Sequence, residues 1–294
     1  MNAVSLNVNA KINLSLHITS LLRGGWHGLD TVAVSVNIAD TVFVSRRKDK
    51  NIAIRMWDAS GAGIFIDDRV NTAYKAASAL CRGFNLGGLD IEVTKRIPFS
   101  AGLGGSSADA AGVIAAVSRL YDIDVKSSSA YIIAFKSGSD VPFMLEGGFA
   151  RVTGRGEKVE GFNAAAPLHI VVAKGTAGCC TKEAYNKFDA LNEWKRGNSE
   201  GLITALKQGD LRGAAANLYN DLQAPSVLLC PEIQSALDLL KGTNPLNCIM
   251  TGSGSACFGL YETAAAAAVA CESLQGKLDY VRACVTAASS VSNS

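Results

Sequence analysis

Alternating apolar and polar residues mark the first half of the chain. Apolar residues occupy every second position over residues 4–8 and again over residues 12–18. Because successive side chains of a strand point to opposite faces, this period of two predicts β-strands with one buried face. The same reasoning predicts further strands at 31–37, 41–45, 52–57, 89–94, 149–152 and 168–173.

Helical periodicity first appears at residues 70–84, where apolar residues recur every three or four positions. It predicts later helices at 108–120, 127–136, 181–195, 200–207, 211–219, 231–241 and 264–274, with strands at 248–250, 256–261 and 280–284. The stretch 161–167 is typical of a connection, which predicts domains at 1–160 and 161–294. The Ser/Asn-rich tail is predicted to be disordered.

Composition excludes several classes of protein. The 294 residues are 48% apolar and 18% charged, with a net charge of +2, which argues against a nucleic-acid partner. We find no run long enough for a membrane span and no secretory signal, so we expect a cytoplasmic protein. We also expect a monomer or a weak homodimer. The eight cysteines form no CxxC pair, which favours free thiols over disulfides or zinc ligands.

A glycine-rich run at Pro98–Ala111 follows a predicted strand and leads into a predicted helix. Glycines let the backbone approach a ligand closely, and the first N–H groups of a helix attract anions. A nucleotide's phosphates are the usual occupant of such a site. The run lacks the Gly-Lys-Ser/Thr ending of a P-loop and the dinucleotide G-x-G-x-x-G spacing. The competing interpretation is a turn before a tightly packed alanine helix.

Polar residues share one face of the predicted strand at residues 10–17. Lys11 and Asn13 occupy odd positions, which suit either a half-exposed edge or the wall of a cleft. Asp140 lies between a predicted helix and an apolar segment, where it is either a turn residue or a proton acceptor. An aspartate that faces Lys11 would remain ionised and could accept a proton from a substrate hydroxyl.

Two further glycine-containing segments carry candidate binding groups. Trp26 and His27 lie in a glycine turn, and an indole can stack on a base while an imidazole bonds its edge. Ordinary loop packing is the alternative. The segment Thr251–Ser255 lies between two predicted strands and is either a tight turn or a second cradle of backbone amides.

The order of these segments resembles the GHMP kinases. The run Pro98–Ala111 is similar to the phosphate loop of that family. The likeness spans about residues 8 to 262 and is strongest to the branch that phosphorylates a cytidine diphosphate-linked methylerythritol, on the route to isoprenoid precursors. The matching segments, besides the loop, are 10–14, 25–31, 95–98, 138–143, 220–222, 231–232 and 252–254.

The resemblance implies an α+β fold of two domains. An N-terminal ATP-binding domain like ribosomal protein S5 would pack beside a C-terminal ferredoxin-like α/β sandwich, with the active site between them. Lys11 and Asp140 match the family's catalytic pair, in which the aspartate takes the proton of the substrate's 2-hydroxyl. Asn71 and Lys95 match positions that flank the adenosine.

The family's remaining contacts transfer to three groups of residues. Asn13, His27 and Thr181 match substrate contacts, and Trp26 would sandwich the cytosine with Tyr185. Mg²⁺ would be held largely by the nucleotide, with Ser107 as a protein ligand. The ATP triphosphate would be wrapped by Pro98, Phe99, Ser100, Ala101, Gly102, Leu103, Gly104, Gly105, Ser106, Ser107 and Ala108.

The chain departs from the family pattern at three positions. Trp26 replaces the usual tyrosine, Ser106 replaces a glycine and Ala108 replaces a serine. Stacking survives the first change, and the other two redistribute phosphate contacts. Two alternatives are another GHMP kinase, acting on homoserine or a mevalonate derivative, and a nucleotide-binding regulator on the same fold. The aromatic residues at 26 and 185 favour the cytidyl substrate.

Overall fold

The computed structural model describes residues 2–194 and 197–294. The elements of the first half surround one mixed sheet. In chain order they are β1 (Ala3–Leu22), β2 (Trp26–Arg46), β3 (Ile52–Asp58), β4 (Gly63–Ile64), α1 (Thr72–Gly83), β5 (Leu89–Lys95), α2 (Gly105–Tyr121), α3 (Ser128–Ser137), α4 (Val141–Glu146), β6 (Phe149–Gly154) and β7 (Lys158–Phe162).

The elements of the second half surround a smaller antiparallel sheet of order β10-β11-β8-β12. In chain order they are β8 (His169–Lys174), α5 (Thr181–Leu191), α6 (Glu200–Gln208), α7 (Leu211–Ala216), β9 (Tyr219–Asn220), α8 (Gln223–Leu229), α9 (Glu232–Lys241), β10 (Asn247–Met250), β11 (Cys257–Tyr261), α10 (Ala264–Leu274), β12 (Tyr280–Val285) and β13 (Val291–Asn293). None of the helices described is long and apolar enough to cross a membrane.

The strands β1 and β2 form one long antiparallel hairpin. The alternation predicts separate shorter strands here, and the structure joins them through register shifts at Asn9/Ala10, Asn13/Ser15 and Ile18/Ser20. The shifts change which residues of the two strands are paired while the backbone ladder continues, and the buried apolar residues of β1 stay at even-numbered positions from Val4 to Ile18. The segment 10–17 is buried on both faces, and its polar residues therefore lie in the interior rather than at an exposed edge.

Helix α2 packs on the β1–β2 hairpin at very close range. A Cβ added at Gly112 would lie 2.7 Å from methyl carbons of both Val8 and Val42, so only glycine fits there. Most of the helix is buried and its alanines fill the contact. The helix begins at Gly105, three residues before the predicted start, because the last glycine of the loop already adopts helical geometry. Its first turn is therefore part of the glycine-rich run.

Several predicted boundaries are wrong for identifiable reasons. The tail is ordered, because β13 pairs with residues 6–8 of β1. The predicted helix 211–219 ends at Ala216, since residues 219–220 join β1 instead. The predicted helix 181–195 ends at Leu191, and its expected last residue, Lys195, lies outside the described residues. Helices α4 and α8 and strand β7 were not predicted.

Candidate active site

A cavity of about 1050 Å³ opens where β1, the loop before α2 and the loop between β10 and β11 meet. Nearly all of the residues predicted for the site line it. The exceptions are Asn71 and Ala108. Asn71 is buried at the start of α1, where its side chain accepts hydrogen bonds from the backbone N–H groups of Ala73 and Tyr74. Ala108 is buried inside α2.

The glycine-rich loop leads directly into the first turn of α2. Gly102 and Gly104 have φ values of +72° and +73°, in the left-handed region that favours glycine. A Cβ at Gly104 would lie 2.3 Å from Cε of Met144 and 3.1 Å from Cγ of Lys11. The loop backbone is thus pressed against the residues beneath it. The first turn of α2 lines the cavity, and the first N–H groups of a helix have no partner within the helix. This geometry suits an anion.

The segment Thr251–Ser255 braces this loop from the second half of the chain. Backbone N–H groups of Ser255 and Ala256 donate to the carbonyls of Ser100 and Ala101 at 3.2 and 3.1 Å. A Cβ at Gly102 would lie 2.2 Å from the carbonyl oxygen of Thr251. The two glycine loops therefore form one continuous backbone wall, and the second is both a tight turn and part of the cavity lining.

A buried amide holds the second loop in place. The Nδ2 group of Asn220 donates to the carbonyls of Met250 and Gly252 at 2.8 and 2.9 Å. Its Oδ1 accepts from the backbone N–H of Leu222 at 2.9 Å. Ser226 adds a hydrogen bond to the carbonyl of Ser253 at 3.1 Å. These contacts account for the asparagine of the Asn-Asp-Leu segment at residues 220–222.

Lys11 and Asp140 meet at the floor of the cavity. The Nζ atom of Lys11 lies 3.6 Å from Oδ2 of Asp140, which stands directly before α4. The ammonium also donates to Oδ1 of Asn13. The Nδ2 group of Asn13 donates to Thr31 at 2.8 Å, so a chain of polar side chains fixes the lysine from behind. The structure thereby brings the predicted catalytic pair together.

Lys95 is held by two buried carboxylates. Its ammonium donates to Asp40 and, at 2.7 Å, to Asp109 on the first turn of α2, and it also contacts the carbonyl of Gly105 at 3.3 Å. Although burial lowers the pKa of Lys95, the charges of Asp109 and Asp40 outweigh it and raise that pKa. Burial raises the pKa of Asp109 to about 7, and the charge of Asp40 adds to this effect. This triad anchors the loop and leaves the lysine little freedom to reach a ligand.

Aromatic side chains gather at the other end of the cavity. His27 stacks on Tyr185 with ring centroids 4.7 Å apart and hydrogen bonds through Nε2 to Asp189 at 2.8 Å. Burial raises the pKa of the Tyr185 phenol. Trp26 is half-exposed, and the guanidinium of Arg155 lies 3.8 Å from the centroid of its indole ring. Each of Trp26 and Tyr185 thus has one face already covered.

Arg155 is one of the cavity residues that sequence reasoning missed, and Lys182 and Asn186 are others. Arg155 lines the cavity from the β6–β7 hairpin, between two glycines with positive φ. An arginine between glycines in a hairpin turn was the available signal. Thr181 is found as predicted in the lining, with its hydroxyl 2.8 Å from that of Ser253.

The donors needed for a protein-held metal are sparse. Within residues 2–194 and 197–294 no three His, Cys, Asp or Glu side chains cluster so as to hold a metal ion. Ser107 lines the cavity, and its Oγ would lie 3.4 Å from a Cβ on Gly138, two residues before Asp140. Such a site fits an ion carried mainly by phosphate oxygens, as Mg²⁺ usually is in nucleotide sites.

Comparison with known proteins places this geometry in a family. Models of the GHMP kinases N terminal domain and of GHMP kinases C terminal match residues 71–148 and 202–279. A 4-diphosphocytidyl-2-C-methyl-D-erythritol kinase of Caldicellulosiruptor bescii is 34% identical over 259 residues, which cover 88% of this chain and 89% of the relative. A relative of the same name from Desulfitobacterium hafniense is 36% identical over 264 residues, covering 89% and 88%.

Solved structures agree with these relatives. A crystal structure of 4-(cytidine 5'-diphospho)-2C-methyl-D-erythritol kinase superposes with a TM-score of 0.79 at 29% identity, covering 96% of this chain and 99% of that one. A homoserine kinase from Cytophaga hutchinsonii has a TM-score of 0.78 at 19% identity, which shows the shared fold alone. The predicted fold is confirmed, and the chain belongs to the 4-diphosphocytidyl-2-C-methyl-D-erythritol kinase family of the GHMP kinases.

Proposed function

We propose that the protein transfers the γ-phosphoryl group of ATP to the 2-hydroxyl of 4-diphosphocytidyl-2-C-methyl-D-erythritol, a step toward isoprenoid precursors. The observation that carries this proposal is one cavity with three matched parts. It holds a Lys11–Asp140 pair on its floor, a helix N-terminus behind a glycine loop on one side, and an aromatic group on the other. The family relationship supports the same activity.

Asp140 acts as the proton acceptor in this proposal. The substrate hydroxyl attacks the γ-phosphorus, the bond to the bridging oxygen of ADP breaks, and the hydroxyl proton passes to the carboxylate. Lys11 keeps that carboxylate oriented and lies within reach of the attacking oxygen. Its own position is fixed by Asn13 and by close packing against Gly104. Alignment of this kind is the main requirement of phosphoryl transfer.

The glycine-rich loop holds the triphosphate. Residues 98–107 line the cavity, and the first N–H groups of α2 complement a negative charge. Mg²⁺ would be held by the nucleotide together with the hydroxyl of Ser107, and when bound it would neutralise charge on the phosphates. Lys95 supports this loop through its ion pairs and lines the cavity, and Asn71 caps α1. We propose that the adenosine lies beside these two residues.

The aromatic group binds the cytosine. Trp26 and Tyr185 each retain a face for stacking, and His27, held by Asp189, offers a polar ring edge. A site that hydrogen-bonds the edge of a base discriminates strongly against ligands that lack it. The cytidyl substrate is therefore favoured over homoserine and mevalonate.

A coupled assay of ADP release tests the proposal. The purified protein is given ATP and Mg²⁺ with the cytidyl substrate, with mevalonate or with homoserine in parallel. We expect ADP release with the first compound and background rates with the other two. No release with the cytidyl substrate would overturn the proposal, and release with mevalonate or homoserine alone would select the competing GHMP activity.

We propose the domain boundary, the kind of ligand and the location of the protein on the same basis. We place the division between an ATP-binding half and a second half near residue 160, because β7 of the large sheet ends at Phe162 and β8 of the small sheet begins at His169. The activity requires small-molecule ligands and no nucleic acid, and a net charge of +2 is consistent with that. A cytoplasmic location would give access to ATP.

A further inference from the structure

Arg155 places a guanidinium in the wall of the cavity. Its Nε is buried and lacks a hydrogen-bond partner, and no ion pair found in residues 2–194 and 197–294 includes its guanidinium. The contacts of the guanidinium are aromatic, with Trp26 at 3.8 Å and Phe135 at 5.6 Å from the ring centroids. The residue is half-buried, and an anionic ligand in the cavity would supply the buried Nε–H group with the acceptor that it lacks.

The position of Arg155 connects the two ends of the cavity. A Cβ added at Gly156 would lie 2.3 Å from the carbonyl oxygen of Ser139, so the hairpin is in backbone contact with the residue before Asp140. The side chain of Arg155 extends over Trp26. The hairpin that carries Arg155 therefore contacts the carboxylate end of the cavity through its backbone and the aromatic end through the guanidinium.

We propose that Arg155 binds the diphosphate that joins the cytidine to the polyol. The proposal rests on the proposed function, in which the base lies beside Trp26 and the reacting hydroxyl beside Asp140. Because the guanidinium lies on the indole that stacks the base, the diphosphate of that nucleoside lies within its reach. The planar guanidinium can donate two parallel N–H groups to phosphate oxygens while one face stays on the indole.

The test compares CDP with cytidine, since the two probes share the base and sugar and differ by the diphosphate. Equilibrium binding is measured without ATP for the wild type and for Arg155→Met. We expect the wild type to bind CDP more tightly than cytidine, and Arg155→Met to lose about 10- to 100-fold in CDP affinity with cytidine affinity unchanged. Arg155→Lys keeps the charge without the planar fork and should show a smaller loss.

Lys158→Met serves as the matched control, because Lys158 is an exposed cation on the same hairpin outside the cavity lining. It should leave both affinities unchanged. Equal losses for CDP and cytidine in Arg155→Met would show that the arginine merely supports Trp26, and this would overturn the proposal. So would equal affinity of the wild type for the two probes. If thermal melting shows that the Met variant is unfolded, the Lys variant decides.

Binding and turnover give separate answers. Wild-type turnover of the cytidyl substrate with no CDP preference would reject the role of Arg155 while keeping the proposed function. If the protein does not turn over the cytidyl substrate but prefers CDP in a way that depends on Arg155, the role of Arg155 is supported and the proposed function is rejected.

Discussion

Lys11 and Asp140 face each other across the cavity floor with 3.6 Å between Nζ and Oδ2, yet they differ sharply in exposure. The side chain of Lys11 is 6% exposed and that of Asp140 is 46% exposed. The lysine is thus part of the wall, whereas the carboxylate is open to an incoming molecule. This asymmetry favours the aspartate as the group that meets the substrate hydroxyl and the lysine as the group that orients it.

Replacing Asp140 with asparagine should abolish most turnover. The amide keeps the shape but cannot accept the proton, so we expect kcat to fall by about 10²- to 10⁴-fold while the affinity for ATP stays nearly unchanged. Steady-state kinetics and ATP binding measure the two effects. Asp122→Asn, an exposed carboxylate at the end of α2, provides the control and should have no effect. An active Asp140→Asn enzyme would remove Asp140 from this role.

Replacing Gly102 with alanine should separate the two glycine loops. The new Cβ meets the carbonyl of Thr251, so we expect the KM for ATP to rise at least about tenfold through misplacement of the phosphate loop. Gly61→Ala is the matched control, because Gly61 also has a positive φ but has nothing within 4 Å of the added Cβ. The control should lose only about 1 kcal/mol of stability. Equal kinetic effects in both variants would contradict the steric explanation.

Replacing Trp26 should affect the cytidyl substrate and spare ATP. Stacking of a base on an aromatic ring contributes about 1–3 kcal/mol, so Trp26→Ala should raise the KM for the cytidyl substrate by roughly 5- to 100-fold. Trp26→Tyr should stay close to the wild type. Phe65→Ala removes an aromatic ring that is 93% exposed and outside the cavity, and it should change neither KM. A raised KM for ATP in Trp26→Ala would argue against a base-binding role.

The Asp40–Lys95–Asp109 triad should make stability depend on pH. The pKa of Asp109 is raised to about 7 in the fold, so its contribution to stability is complete below the ordinary aspartate pKa and is lost as the pH rises through about 7. The amide introduced by Asp109→Asn does not titrate. As the pH rises from 5 to 8, the free energy of unfolding of this variant should therefore increase by on the order of 1–3 kcal/mol relative to that of the wild type.

Urea unfolding at several pH values measures this difference. Asp122→Asn removes a carboxylate outside the triad. Its free energy of unfolding should change with pH as that of the wild type does across the same range. If the free energy of unfolding of Asp109→Asn changes with pH as that of the wild type does, the pKa of Asp109 is not raised in the folded protein.

The sequence predicted elements well where one pattern ran without interruption. Helix α10 begins and ends at the predicted residues, and the other long helices differ by a few residues at their ends. The β1–β2 hairpin was divided into pieces because Ala10 in β1 and Asp40 in β2 interrupt the series of large apolar residues while the backbone ladder continues. Helix α4 is too short to show a helical period, and it has a proline in its first turn.

The site was predictable where a motif lies in one segment and less so where partners come from afar. The ion pairs of Lys95 were not predicted, because Asp40 lies on a different strand and Asp109 lies 14 residues further along the chain. A signal for that partner exists: Asp40 is the lone carboxylate among the apolar positions 34, 36, 38, 42 and 44 of β2. The role of Arg155 was hard to predict from the sequence, because its contact with Trp26 is made only when the chain folds.

The pairing of β13 with β1 has a consequence for how the protein is made. The strand that carries Lys11 is hydrogen-bonded to residues 291–293, and Ser290 reaches both Asn9 and Ser35. The N-terminal sheet therefore cannot be completed during synthesis until residues 286–293 have emerged. A deletion of residues 286–293 should therefore disturb β1, the strand that carries Lys11.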